Sequence, residues 1–439
     1  MLTPFQKAQD CYSRMSQFRN ARFRFKRFTY GSQWDDWVRD PHGNWISEGE
    51  LASRNGRVPL TNNLIQRVVK TIVGHFRTEN KDTPSDHNRL PELDARMLEE
   101  FLVSGCAVQR VVKEKRPQGD GTWVDNVNPA DFFCSVSSDP RGHDLEVVGM
   151  IHDWSIDQAV ARFANGSRQR ARELTHDFTA RQGSGGTFPP VDDERVRIVE
   201  VWTLETTGRL RCHDHHRATC FVADPEREDW LRNENRRRAR RKMSPIEWRY
   251  ESVTAWHGRC YDCAGNELAS VTAERHPFAV KFYPLLDGEV HSFVEGLLDQ
   301  QKYVNRLITL IDNMMSTSAK GVLLFPEDEM SDQVEWDDIQ KLWASYDGVI
   351  PYRPTPGSPG PHQVVTNPAS SGAYDLLNLE MRLFDQAGGV TGAFRGEAQT
   401  GTGNSAQLFE AQTRNSLAAL ADIYCSFNDF RQSRDQLLK

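Results

Sequence analysis

Nowhere among the 439 residues do more than a handful of apolar side chains follow one another, so no segment offers the roughly 20 needed for a transmembrane helix. The opening MLTPFQKAQDCYSRM has no basic stretch followed by an apolar one, so no signal peptide is expected. An excess of positive charge is missing too. The 54 Lys and Arg stand against 61 Asp and Glu, a formal net charge of -7, which excludes a protein that wraps nucleic acid over its whole surface. Eight scattered Cys do not make a disulfide framework and suit reduced thiols. No GxxxxGK[ST], HExxH or GxSxG occurs. The Gly-rich run Gly388 to Gly403 lacks both a preceding strand and a phosphate-facing Lys. The acid pairs Asp35-Asp36, Asp192-Asp193 and Asp337-Asp338 lie in polar stretches without a nearby His, and solvated loops are expected there. Nothing resembles an active site, and no enzyme and no cofactor are expected.

What is present is organised around Ser292 to Ser318. Apolar residues from Phe293 through Leu298, Val304, Leu307, Ile308 and Ile311 to Met315 recur at steps of three, four and seven, the pattern of one helix face. Ser292 with Glu295 has capping-box spacing, and the helix would run for about 40 Å. Gln300, Gln301 and Asn305 interrupt the stripe with neutral polar groups, which suits a helix packed against copies of itself; the alternative is a core helix of a large domain.

The remainder reads as an α+β chain. A basic helical start carries Arg14, Arg19, Arg22, Arg24, Lys26 and Arg27 interleaved with Phe18, Phe23, Phe25 and Phe28. A solvated face with an aromatic packing stripe is favoured over a nucleic-acid arm. Trp34, Trp37 and Trp45 sit in polar contexts, as at contacts between elements or subunits. Helices are expected over 61–76, capped by Thr61 or Asn62, and over 90–103, ended by Gly105. Strands follow from Ala107 to Asp153, then a helix near 156–163. Residues 165–190 read as a polar surface excursion, and strands resume at Val196 to Thr203 and Leu210 to Val222. Asp224 to Met243 is a helix with Asp224 as cap, Pro225 at its start and Pro245 as its stop. Its second half carries Arg236, Arg237, Arg238, Arg240, Arg241 and Lys242, which suits the helix dipole. Short strands over 246–290 separate it from the 292–318 helix. Beyond lie a strand at 321–325, a helix ending near Tyr346, a Pro-rich loop from Tyr352 to Ser371, and helices over 373–387 and 406–438.

Cys212, Cys220, Cys260 and Cys263, with His213, His215 and His216, are residue types that zinc prefers. The first half has no standard spacing and about forty residues separate the halves, so free thiols are expected and no metal is assigned.

Several stretches resemble a tailed-bacteriophage portal protein. They are GSQW, LTNNLIQRVVKTIVGHFRTE, NVNPADFFCSVSSDPRGHDLEVVGMIHDWS, VEVWT, HPFAVKFYPLLDGEVHSFVEGLLDQQKYVNRL and the late GVTG…GTGNSAQLFEAQT, which span most of the chain in the family's order. The resemblance implies a non-enzymatic ring of about twelve subunits at one capsid vertex, in the virion and, during assembly, in the host cytoplasm. Its implied partners are double-stranded DNA in non-specific, transient contact, a terminase, major capsid and scaffold proteins, and later head-completion or tail proteins, with no membrane. It implies a wing over 1–223, paired stem helices over 224–243 and 292–318, and a clip over 244–291. A wing return with a tunnel-loop-like region follows over 319–372, then helices over 373–439 toward a short or absent crown. Arg236, Arg237, Arg238, Arg240, Arg241 and Lys242 would ring the DNA channel, and Arg353, His362 and Gln363 would lie at the tunnel loop. The alternatives are another head–tail adaptor ring or a metal-dependent nucleic-acid enzyme.

Overall fold

The computed structural model describes residues 2–80, 87–117, 119–180, 187–188, 195–318, 322–330, 334–344, 349–357, 359–364, 370–390 and 406–439. Its elements run α1 (Pro4–Arg14), α2 (Ser16–Tyr30), β1 (Trp37–Arg39), β2 (Trp45–Ser47), α3 (Glu48–Arg54), α4 (Leu64–Glu79), α5 (Leu90–Ser104), β3 (Cys106–Arg116), β4 (Gly119–Asn126), β5 (Phe132–Cys134), β6 (Val147–Ser155), α6 (Ile156–Phe163), α7 (Arg168–Ala180), β7 (Arg195–Asp214) and β8 (Thr219–Ala223). They continue α8 (Glu228–Arg240), β9 (Ile246–Tyr261), β10 (Glu267–Ala273), β11 (Phe278–Phe282), β12 (Leu285–Leu286), β13 (Glu289–Val290), α9 (Leu298–Ser318), β14 (Val322–Leu324), α10 (Trp336–Ala344), β15 (His362–Val364), α11 (Ser370–Ala387) and α12 (Ala406–Leu438). The fold is α+β, and the chain divides into two compact units. One holds Met1–Lys26, Val69–Glu295 and Ala418–Lys439; the other holds Arg27–Val68 and Gly296–Leu417.

The first unit is layered on an antiparallel sheet of order β10-β9-β7-β6-β5, with β8 added to β7. Both faces of β6 are buried because both are covered. On one side Phe132, Val148 and Trp202 meet Cys106, Val108 and Phe278 of the small β11-β3-β4 sheet. On the other, Phe133, Val199 and Val201 pack on Ala8 and Cys11 of α1. Gly149 is required where β6 crosses this core: an added Cβ would stand 2.3 Å from the Glu200 carbonyl oxygen and 2.4 Å from the Phe133 ring. Gly105 ends α5 as expected, at φ 73°, its N–H donating to the Phe101 carbonyl at 2.8 Å. The end of α12 is locked into the same unit by Phe427 and Phe430, both fully buried, and by Arg434. Arg434 pairs with the buried Asp94, which also accepts from Arg431 Nε at 2.9 Å.

In the second unit α9 carries a polar ladder, Gln301, Asn305 and Thr309, spaced one turn apart and nearly wholly buried. Gln301 Oε1 accepts from the backbone N–H groups of Leu64 (2.9 Å) and Ile65 (3.2 Å), and its Nε2 donates to the Asn62 carbonyl at 2.7 Å. Asn305 accepts from Asn62 N–H at 3.0 Å and donates to Gln33 at 2.6 Å, while Thr309 accepts from Leu60 N–H at 3.0 Å. These groups splice the incoming 60–65 segment onto α9. That corrects the reading of Gln301 and Asn305 as a face for copies of the helix. It also corrects the cap of α4: Asn63 Oδ1 accepts from Gln66 N–H at 3.0 Å and Gln301 serves the two preceding donors, so neither Thr61 nor Asn62 is the side-chain cap.

Other expectations change. The stretch 168–180 is helix α7, held to α6 by Leu174 and Phe178, although its polar composition reads as loop. The two strands expected over 196–222 contain one unbroken 20-residue strand, β7, continuous through Gly208 because the Tyr250 ring covers that glycine. Its partner β9 is likewise one 16-residue strand, not several short ones. Asp36 is not solvated: it holds Arg27 and Lys302. Within the Pro-rich 352–371 stretch, 362–364 is strand β15 and α11 begins at Ser370. At the basic start the favoured reading holds for Arg14, Arg24 and Lys26, which are exposed, and for Phe25 and Phe28, which are buried, but Arg22 turns inward to Glu100, bonded at 2.6 and 2.8 Å, and Phe23 is exposed. Asp192-Asp193 and the Gly-rich runs 183–186 and 391–403 lie outside the described residues. No helix among the described residues is long and apolar enough to cross a membrane.

Candidate functional site

The arginine-rich segment sits at the end of the β7–β9 ribbon. From Val199 opposite Tyr261 to Asp214 opposite Ile246 the two strands pair without a break, and β8 adds a third strand over Leu210 to Asp214. A single 3-10 turn at Pro225–Arg227 then leads into α8. Asp224 precedes it without a side-chain capping bond, so Pro225 alone carries the expected start signal. Leu231 is the apolar anchor of α8, fully buried with Leu210, Cys212, Ala223 and Ile246. Asn235 clamps the helix to the first residue of β9, accepting from Ile246 N–H and donating to Ile246 C=O, both at 2.8 Å. The helix stops before Pro245. Lys242 takes a left-handed φ of 57°, and Met243 N–H donates to Arg238 C=O at 3.0 Å while Lys242 N–H donates to Ala239 C=O at 3.2 Å, the paired bonds of a Schellman motif.

Within this frame the six basic residues divide into two groups. Arg238 points into the tip and forms a two-pronged bond with Asp214, Nη1 to Oδ1 at 2.7 Å and Nη2 to Oδ2 at 2.8 Å. That guanidinium, with the N–H groups of His216 and Arg217, holds the Asp214 carboxyl far below the usual carboxylate range. Arg238 is therefore a fastening of the tip and leaves the set expected to face DNA. Arg236, Arg237, Arg240, Arg241 and Lys242 are exposed, with Arg237 at 3.9 Å from Glu234. Five cations thus crowd the outer face and C-terminal turn of one short helix.

Of the second expected cluster, Arg353 lies in an irregular segment and the other two on a strand. His362 and Gln363 lie on β15, paired with Leu324 and Leu323 of β14, and His362 Nδ1 is 3.2 Å from the Gly360 carbonyl. Arg353 is exposed, next to Tyr352, which bridges Met330. Nor does the structure bring the two cysteine pairs together. Cys212 is buried opposite Trp248, Cys220 lies opposite His213, and Cys260 lies opposite Glu200. Glu200 and Cys212 are twelve residues apart on β7, roughly 40 Å at about 3.3 Å per residue. One ion cannot bridge that gap. Among the described residues no group of three or more His, Cys, Asp or Glu is placed to hold a metal ion.

A buried acid also lies in the first unit's core. Burial pushes the Glu200 carboxyl up, but the Arg110 charge (3.1 Å), His152 Nε2 (2.7 Å) and the Trp202 indole N–H (2.9 Å) outweigh it and bring it to about 2. Its lone pairs are taken up by these partners, as in a structural ion cluster.

Sequence reasoning missed one further feature, a cavity of about 260 Å³ in the first unit between α1–α2 and β12–β13, lined by Phe18, Phe25, Phe282, Leu285 and Val290 with Glu289 and Glu295. Its walls come from segments more than 250 residues apart, and no local motif announces it.

The family model described as phage P22-like portal protein matches residues 5–434. No curated protein matches the chain.

Proposed function

We propose, from the premise that this chain belongs to the phage P22-like portal protein family, that it forms the ring through which a tailed phage packages and ejects its genome. Membership carries with it a ring-forming, capsid-associated assembly at the virion vertex. The finer reading is a ring of about twelve subunits that first docks a terminase, then head-completion or tail proteins. The family match over nearly the whole chain carries it.

The chemistry supports that reading. DNA must slide, so contacts with phosphate have to be few and weak, and a subunit with net charge -7 has no overall attraction for DNA. Arg236, Arg237, Arg240, Arg241 and Lys242, repeated by symmetry, supply one basic level for transient phosphate contact. Residues 1–223 are assigned to the wing and α9 to a stem helix. The segment 224–243, which carries α8, is assigned to the other stem helix, and 244–291 to the partner-docking clip. Because β9 continues the sheet of β7, the clip segment 244–291 shares a sheet with the wing segment rather than standing as a separate module.

Removing this chain from its phage tests the function. Capsids without packaged genome are expected, restored by supplying the chain in trans. Capsids that fill with DNA in its absence would overturn the reading.

A further inference from the structure

Two surfaces of this chain complement each other. One is the outer face of the β1–β2 hairpin. Trp37 and Trp45 are 68% and 58% exposed, and Arg39, directly opposite Trp45, lies 5.0 Å over its ring. Trp and Arg are the side chains that most often anchor protein interfaces. The hairpin is also rigid: Asp40 accepts from the N–H groups of His42 (2.9 Å) and Asn44 (2.8 Å), and Gly43 takes φ 85° in the turn. Little order is left to impose on binding. Trp34 behaves differently, since its indole N–H donates to Thr61 Oγ1 at 3.1 Å inside its own unit.

The other surface is the cavity between α1–α2 and β12–β13. At about 260 Å³ it is smaller than the pockets of about 300–1,000 Å³ that hold drug-sized ligands, and of the scale of an aromatic side chain. It is lined by Phe18, Phe25 and Phe282 together with two exposed acids, Glu289 and Glu295, of which Glu295 accepts from Ser292 N–H at 3.3 Å and lies 3.2 Å from His291 Nδ1. The basic rim residue Arg14 is occupied by Asp10 at 3.0 Å. The cavity is therefore apolar within and acidic at the mouth, the complement of an aromatic knob flanked by a guanidinium.

We propose that the Trp37–Arg39–Trp45 face of one subunit docks into this cavity on the next copy of the chain, the hairpin seating a tryptophan among the phenylalanines and Arg39 meeting Glu289 or Glu295. A knob and a hole at different places on one molecule make a head-to-tail contact, which closes into a ring when the rotation between copies is right. The inference rests on the ring-forming reading above and names the contact that builds the ring.

The test uses full-length protein and mass photometry, with W37A/W45A as the knobless chain and Glu289→Arg or Ala21→Trp as chains with an altered or filled hole. Each single-face variant is expected to need at least about tenfold more protein for half-assembly. An equimolar mixture of knobless and altered-hole chains retains one good contact per pair, so 1:1 dimers should appear without rings. Arg39→Glu combined with Glu289→Arg should restore assembly, which separates the contact from a folding defect. Rings formed alike by unaltered and W37A/W45A protein would overturn the contact while leaving the portal reading intact. Open chains or dimers that W37A/W45A abolishes, without closed rings from the unaltered protein, would count against the portal reading and keep the contact. A protein that never associates, alone or when expressed with its capsid and scaffold proteins, would overturn both.

Discussion

The polar ladder on α9 makes a demanding prediction. Gln301→Leu keeps shape and volume but removes one acceptor and one donor group from a site that is 0% exposed. Leu64 N–H keeps a second acceptor, the Asn62 carbonyl at 2.9 Å, and so does Asn62 C=O its donor. Ile65 N–H loses its only side-chain partner in the buried first turn of α4. One orphaned buried N–H costs about 1–3 kcal/mol and the three further bonds lost, those with Leu64 N–H, Asn62 C=O and Asn305 Oδ1, about 1 kcal/mol each, so at least about 4 kcal/mol in total is expected. In a unit of this size that lowers the thermal midpoint by at least roughly 8–16 °C. Amide exchange across 64–68 should quicken roughly a thousandfold. Gln300→Leu, one position along and half-buried, is the control. Equal midpoints and exchange rates for the two variants would refute the splice.

Other consequences can be checked independently. Glu200 sits at about 2, below its unfolded value, so its contribution is present above about pH 5 and is lost as pH falls through 2. Acid titration of unfolding should show that loss, up to about 3 kcal/mol, and Glu200→Gln should flatten it. Gly149→Ala forces a Cβ against the Glu200 carbonyl and Phe133, and should cost about 1–3 kcal/mol in urea melts. Arg238→Ala strips Asp214 of its partner and should loosen amide protection at 214–217, whereas Arg240→Ala, on the exposed face, should not. Replacing Arg240, Arg241 and Lys242 together by Ala should weaken DNA retention at low salt. The slope of log affinity against log salt should flatten by about 0.9 for each phosphate no longer neutralised, with folding unchanged.

Local signals read well. Periodicity marked α4, although not its cap, and the end signal of α5 was met because Gly105 takes a left-handed φ. What misled was tertiary context. The α9 amides suggested a partner helix because a sequence does not show that residues about 240 positions away carry the matching N–H groups. The strands expected at Val196 to Thr203 and Leu210 to Val222 are joined in β7, where Tyr250 covers Gly208 from the paired strand. Arg238 looked like its neighbours because nothing local distinguishes it; only the register that sets Asp214 beside α8 does. The cavity is assembled from α1, α2, the segment after β5 and the β12–β13 hairpin, so it exists only in the fold.

The most direct measurement of the central claim is negative-stain imaging, with mass photometry, of the purified chain at moderate salt. Closed rings of about a dozen subunits around a central hole are expected. A chain that stays monomeric or dimeric, alone and when expressed with its capsid and scaffold proteins, would contradict it.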